Sequence, residues 1–562
     1  GDRDLFRSST SVDTPAYGDL SAKLSFSHGE RGGLVSSSYT GGDLGQYDQQ
    51  AWRAALRWTP TEAFTADYVY DHYQQDSNTN LSQLSHVRPL HVLLGGPQYE
   101  QALAASSADR LQHLPYPGDA KDQTLEIDGH ALTLSLDLGA ATLKSISSWR
   151  EFDNRYGSQD FGQFVSDGAS VLAPGFDGSL VPAGSFVPMF VSAGFNEHEQ
   201  WSQEFQLVGR MPDDRLGYNM GVYFFHEEGE QFDPQRYTIP APFVFGELDR
   251  DTQSWLCAGE CFGKSVLLSA PDYDYTADND AWAVYGQFDY ALTERLSAVL
   301  GMRWSVDDKK SSLTNGFNDV GLATLEADHA WNHFNPTFTL TYHWTDELMV
   351  YAKYATGYRA GGFNVRAATV SAFASPVDEE VVASWEIGGK SQWFDDRVRL
   401  NGALFYYEYD DRQVSQFEAG TAGASSRIVN AGASEARGVE LDLSLVPLES
   451  TLVTLTWGHV DVDYKKFVTS VNDPVTGFPV FDGNGEALVT DISGVASTLT
   501  GGPADSAAVI LQYTFPALGF GTLVAQVDGT YASKRTFAPQ LNLYDATESY
   551  TLWNARLTLQ EI

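Results

Sequence analysis

Cys257 and Cys261, the chain's two cysteines, stand three residues apart with Ala258-Gly259-Glu260 between them. Such a pair can bridge or bind a metal. Zinc chemistry needs a second Cys/His pair at matching spacing, and none follows. A disulfide closing this small loop suits an oxidising compartment and would stabilise only locally. Further on, Asp272, Asp274, Asp278 and Asp280 crowd four carboxylates into one short run. Their oxygens suit Ca²⁺, yet the glycine and glutamate of an EF-hand loop are absent, so a solvated acidic loop is the simpler reading. The run His226-Glu227-Glu228-Gly229-Glu230 lacks the HExxH spacing that sets two imidazoles on one helical face, and Asn196-Glu197-His198-Glu199 is no better. No metal site is assigned on these grounds. A G-x-S-x-G elbow, a phosphate-cradling loop and a dinucleotide fingerprint are all missing, so no motif supports an enzyme and no cofactor is implied.

The elements that would position any such residues repeat with period two. Leu20, Ala22, Leu24 and Phe26 alternate with Ser21, Lys23, Ser25 and Ser27. Trp52, Ala54, Leu56 and Trp58 alternate with Arg53, Ala55, Arg57 and Thr59, and Leu300, Met302 and Trp304 with Gly301, Arg303 and Ser305. Near the end Trp553, Ala555, Leu557 and Leu559 alternate with Asn554, Arg556 and Thr558. About eighteen such segments of roughly 9–13 residues follow one another, the length of a tilted strand crossing a bilayer. One face of each is oily. The other carries charge, with Arg53, Arg57, Lys144, Arg303, Lys353, Arg399 and Arg556 among the residues that would face a lumen.

Connections between these segments alternate strictly between short and long. Tight turns hold Pro60, Gly139, Pro212, Thr293, Asp346, Asp395, Leu448 and Pro516, and long polar stretches near 72–130, 151–199, 226–280 and 463–505 lie at the other end. A soluble sandwich has no reason to sort its loops in this way, whereas an outer-membrane barrel has short periplasmic turns and long extracellular loops. Trp58, Trp344 and Trp393 stand at turn ends, where an interfacial aromatic girdle belongs.

Composition agrees with this reading. The 562 residues include 51 Gly, 28 Tyr, 32 Phe and 13 Trp beside 5 Met, and the net charge is −39. So acidic a chain repels nucleic acid, which requires a Lys/Arg-rich face. Mean hydropathy is −0.27, but a membrane strand meets lipid only at every second residue and its hydropathy averages out.

Tyr351-Ala352-Lys353-Tyr354-Ala355-Thr356-Gly357-Tyr358-Arg359-Ala360-Gly361-Gly362-Phe363-Asn364 resembles the YAKYSxGYRAGGFN stretch of TonB-dependent outer-membrane receptors. So do Glu380 followed by Trp385-Glu386-Ile387-Gly388-Gly389-Lys390, the run Ser202–Leu207, and Asn430-Ala431-Gly432 leading to Gly438-Val439-Glu440. The resemblance implies an all-β fold, a transmembrane antiparallel barrel of the 22-stranded type with about eighteen strands present. It also implies a bacterial outer-membrane location among lipid and lipopolysaccharide, and active uptake of a scarce ligand, most often a ferric siderophore, driven by the TonB complex. Cobalamin, haem or a carbohydrate are alternative ligands, and a passive porin-like channel is an alternative activity. Residues 1–562 are expected to be an incomplete barrel domain, with the plug, its TonB box and the final hairpin absent. Near the mouth, Arg359 beside Tyr358 and Phe363 is the group best placed to touch an anionic ligand.

Overall fold

The computed structural model describes residues 2–37, 42–78, 87, 89–107, 109, 113–114, 122–160, 163–172, 179–241, 263–315, 324–366, 370–420, 423–430, 432–471, 480, 488–494, 501–517, 519, 521–536 and 546–560. Nineteen strands form one antiparallel meander in which each pairs with the next. The first six are β1 (Phe6–Asp13), β2 (Leu20–Arg31), β3 (Tyr47–Thr61), β4 (Phe64–Asn78), β5 (Asp122–Asp137) and β6 (Ala141–Asp160). Next come β7 (Phe190–Arg210), β8 (Leu216–Pro240), β9 (Ser265–Ala291), β10 (Leu296–Asn315), β11 (Thr324–Thr345) and β12 (Leu348–Arg359). The last are β13 (Glu380–Trp393), β14 (Val398–Asp410), β15 (Ser434–Leu448), β16 (Thr451–Tyr464), β17 (Asp505–Thr514), β18 (Thr522–Ala532) and β19 (Tyr550–Gln560).

From Leu20 onward the strands follow the alternation read in the sequence. β1 is an addition. Its FRSSTSVD run is too rich in serine and threonine to show an oily face, yet it pairs with β2 from Phe6↔Glu30 to Asp13↔Lys23. Every short turn falls at one end of the sheet. The β13–β14 turn shows what the chemistry must accommodate, because Phe394, Asp395 and Asp396 all take positive φ (58°, 52° and 64°).

Side chains on the outer face are exposed although they are apolar, which is the mark of a wall built for lipid. On β10, Leu300 and Trp304 are 46% and 48% exposed, while Arg303 and Ser305 face the other way. Exposed Trp58, Trp344 and Trp393 ring the turn end, and Trp52, Trp201, Trp282, Trp304, Trp385 and Trp457 form a second ring nearer the loops. About eight residues separate Trp385 from Trp393, so the rings stand roughly 25 Å apart along the strand, close to the height of a lipid-facing band. No helix among the described residues is long and apolar enough to cross a membrane.

On the inner face the cations behave in two ways. Arg57 stands opposite Asp67 in the register and donates to it at 2.6 Å. Arg303 lies 5.7 Å over the rings of Tyr223 and of Tyr285. Arg53, Lys144, Lys353, Arg399 and Arg556 have no ion pair among the described residues.

Beyond the outer ring, β8 to β11 continue as strands well past the band. Residues 226–280, which read as one long polar connection in the sequence, are in fact the ends of β8 and β9 plus a shorter linker. The Asp272–Asp280 run therefore lies on β9, not in a loop. Above the lipid both faces of a strand meet water, so the oily alternation that marks a strand disappears while the ladder goes on.

Replacing the lipid-facing Leu300 by Arg should destabilise the barrel by about 2–4 kcal/mol if the residue lies near the bilayer midplane. Loss of the heat-modifiable band on gels and a lower membrane yield are the expected outcome, and an unchanged band would mean that the inner and outer faces are reversed.

Candidate functional site at the barrel mouth

Above the outer aromatic ring two neighbouring strands part. Pairing of β11 with β12 ends at Thr337↔Ala355, while β12 stays paired with β13 as far as Arg359↔Glu380. β11 meanwhile remains paired with β10 up to Thr314↔Thr324. Freed on one side, the tip of β12 leans across the inner face of β11. The Tyr358 ring stacks on His333 of β11 at 5.0 Å and 18°, and its hydroxyl donates to Asp307 of β10, one strand further on. His333 Nδ1 is 3.1 Å from Glu379 Oε1, so the imidazole is held from both sides.

Lys309 lies two residues beyond Asp307 on the same inner face, with its ammonium 5.9 Å over the Trp331 ring. It has no ion pair among the described residues. Burial pushes its pKa down and the nearby Arg359 pushes the same way, against Asp307 and Glu227, which hold it up. Burial, and then the hydrogen bond to Asp307, push the Tyr358 hydroxyl well above the usual phenol range. Both groups stand above the lipid-facing band. Arg359 itself is exposed and, like Lys309, has no ion pair among the described residues.

The segment that follows β12 is pinned at several points. Gly361 is required, because a Cβ there would lie 1.9 Å from the Val377 carbonyl oxygen and 2.5 Å from the Trp331 ring. Phe363 packs edge-on to Trp331 at 6.0 Å and joins a cluster with buried Tyr273, Leu313 and Phe373. Asn364 exchanges two hydrogen bonds with the Ile428 backbone, donating Nδ2 at 3.1 Å and accepting at 2.7 Å. Asn430 does the same for Asp378, and Glu380 accepts the Gln413 backbone N–H at 2.7 Å. Gly361, Phe363, Asn364, Glu380 and Asn430 thus serve to anchor the loops.

Arg366 ends this strap in a buried ion pair. Its Nη2 lies 2.5 Å from Asp233 Oδ2, and Asp233, 2% exposed, also accepts from Ser192 Oγ, Tyr156 OH at 3.2 Å and Gln235 Nε2 at 3.2 Å. Four partners at one carboxylate satisfy a charge that would otherwise be costly to bury.

Tyr358 and Arg359 therefore stand together at the mouth, and Phe363 is anchored beside them in the apolar cluster. Asp307, Lys309, His333, Glu379, Asp233 and Arg366 complete the arrangement and were not singled out from the sequence. Alternation along β10 does place Arg303, Ser305, Asp307 and Lys309 on one face, but nothing in the residue order announces that β12 crosses to them. Cys257 and Cys261 lie outside the described residues.

A family model described as TonB dependent receptor-like, beta-barrel, matches residues 64–560. The chain belongs to that family. Among curated proteins, the pesticin receptor of Yersinia pestis is 29% identical over 204 residues, which cover 35% of this chain and 28% of the relative. The matched part thus spans less than a third of that relative. Among solved structures, the ferric yersiniabactin uptake receptor FyuA from Yersinia pestis gives a TM-score of 0.68 at 14% identity, covering 100% of this chain and 71% of the other. The siderophore receptor PiuA from Acinetobacter baumannii gives 0.65 at 14% identity, with 100% and 74% covered. These likenesses bear out the barrel fold of the wall described above.

Replacing Asp233 by Asn should loosen the strap while leaving the barrel folded. The expected loss is about 2–3 kcal/mol of local stability, short of the roughly 3–5 for a fully buried pair because the Arg366 side chain is about a third exposed. Hydrogen exchange should rise across residues 360–379 and stay unchanged in β2 to β6.

Proposed function

We propose that this barrel is the wall of an outer-membrane receptor that takes up a ferric siderophore with energy supplied through TonB. The family match over residues 64–560 is the observation that supports this most directly. Relatives and structural neighbours named as siderophore or ferric-ligand receptors point the same way. In this reading a plug fills the lumen and faces Arg53, Lys144, Lys353, Arg399 and Arg556, the wall cations without an ion pair among the described residues. The work is transport and not catalysis. The barrel contributes a rigid scaffold, since a ligand site is best held on strands whose own side chains are locked.

Arg359 and Tyr358 are the proposed ligand contacts, with Phe363 holding the strap that carries them. Arg359 is exposed and projects above the half-buried Lys309, so two cations meet an incoming ligand in a protein that is otherwise strongly acidic. Such a pair attracts anionic ligands over distances within a Debye length. The bridge between Cys257 and Cys261 is likewise proposed, closing a loop on the outer side.

Uptake of radiolabelled iron by cells carrying the gene, under iron limitation, tests the whole reading. Accumulation should require both this protein and an intact TonB system; uptake that persists after TonB is deleted would make it a passive channel. Changing Arg359 to Ala should weaken ligand binding about tenfold, or ~1.4 kcal/mol, with the barrel yield unchanged. Equal binding by the variant would remove Arg359 from the site.

A further inference from the structure

At the level of the outer aromatic ring and just above it, on the face turned away from the lumen, the same small constellation recurs on three strand pairs. His28 joins Glu30 and Asp48 on β2 and β3, His72 joins Glu126 and Asp128 on β4 and β5, and His226 joins Asp278 and Asp280 on β8 and β9. In each, one imidazole nitrogen and two carboxylate oxygens lie within 4.8 Å of one another. The heights correspond. His28 follows Phe26 by two residues, His72 stands opposite Trp52 in the register, and His226 stands opposite Trp201 with the rings 6.2 Å apart. All share the outward parity of exposed Leu24, Trp52, Leu136, Trp201 and Phe224.

Each imidazole already touches a carboxylate, at 3.1 Å for His28–Asp48, 3.1 Å for His72–Asp128 and 2.9 Å for His226–Asp280. The third constellation holds one more clue. Asp278 Oδ1 is shielded from water and accepts no hydrogen bond among the described residues, although the side chain as a whole is 45% exposed. Lys310 reaches only the other oxygen, at 3.9 Å, and Glu228 adds a further carboxylate 3.3 Å from His226 Nε2. Beside this triad opens a cavity of about 550 Å³ lined by Glu151, Asp153, Glu197, Glu199, Glu228 and Glu230, with Asp278 at its edge.

We propose that these His/carboxylate triads bind divalent cations that tie the barrel's outer rim to the phosphates of the surrounding lipid head groups. One nitrogen and two oxygens suit a first-row divalent cation such as Mn²⁺ or Zn²⁺ and leave coordination positions open. A rim this acidic, set at head-group height, would repel an anionic phosphate layer. A cation shared between a carboxylate and a phosphate oxygen turns that repulsion into attachment. The inference needs only that the aromatic ring marks a membrane boundary, as proposed above; it is independent of the transported ligand.

Mn²⁺ is the probe. Protein purified in detergent is placed in nanodiscs of phosphatidylcholine, or of phosphatidylcholine with a phosphomonoester lipid such as lipid A, and titrated with Mn²⁺ while electron paramagnetic resonance follows the bound ion. Expected are nitrogen couplings from coordinated imidazole, and an affinity at least tenfold higher in the phosphomonoester discs once Mn²⁺ held by protein-free discs is subtracted. The triple variant His28→Gln, His72→Gln, His226→Gln should lose both while keeping its heat-modifiable band. Inorganic phosphate added to the phosphatidylcholine discs should not reproduce the gain. Absence of nitrogen coupling, or wild-type binding by the triple variant, would overturn the sites. Equal affinity in the two kinds of disc, or full replacement by free phosphate, would overturn the attachment to lipid. Iron uptake measured separately distinguishes failure here from failure of the transport reading.

Discussion

Backbone hydrogen bonding in the absence of water governs this molecule. Inside a bilayer an unpaired N–H or C=O costs several kcal/mol, so every residue that crosses must be laddered to a neighbour. The unbroken meander from β1 to β19 is the consequence, and so is the sorting of short turns to one end, where two strands must be joined without leaving backbone groups in lipid. Above the lipid the requirement lapses. β12 can then leave β11 after Ala355 while β11 keeps its pairing with β10, and the mouth site exists because of that release. Tyr358 reaches Asp307 only by crossing a strand it no longer pairs with.

Once a strand has parted, something else must fix the segment it leads into. Here the replacement is a set of side-chain bonds to backbone: Asn364 to Ile428, Asn430 to Asp378, Glu380 to Gln413. Each ties a side chain of one mouth segment to the backbone of another. The Arg366–Asp233 pair and the Phe363–Phe373 contact add the buried charge and apolar area that hold the strap down. Arg359 therefore presents its guanidinium from a segment anchored at both ends, which would lower the entropy lost on binding if, as proposed, it contacts a ligand.

How much of this the sequence discloses follows from the same physics. Lipid forces alternation, so Leu300, Met302 and Trp304 announce their strand and their face. Turn chemistry forces its own residues, so the ends of the crossing segments are legible too. Where water replaces lipid the forcing stops: Asp272 to Asp280 look like a loop and are a strand, and the Ser/Thr-rich β1 looks like nothing in particular. The motif around Tyr358-Arg359 marks the right segment, but its glycines and asparagines speak of anchoring. Residues brought in from other strands, Asp307, Lys309 and His333, lie some 25 to 50 positions away and carry no local sign of their shared purpose.

Charge is distributed with the same economy. A chain of net charge −39 keeps several of its cations on the inner wall without partners among the described residues, and sets many of its carboxylates on the outside just above the aromatic ring. For an anion approaching from solution such an acidic rim is a barrier, and inner cations without an ion pair are points of local attraction. Lys309 and Arg359 lie at the mouth without an ion pair among the described residues, and Asp307, which holds the Lys309 pKa up, also accepts from Tyr358. Because the crossing of β12 sets the Tyr358 hydroxyl on Asp307 and brings Arg359 near Lys309, it shapes the electrostatics of the mouth as well as its geometry.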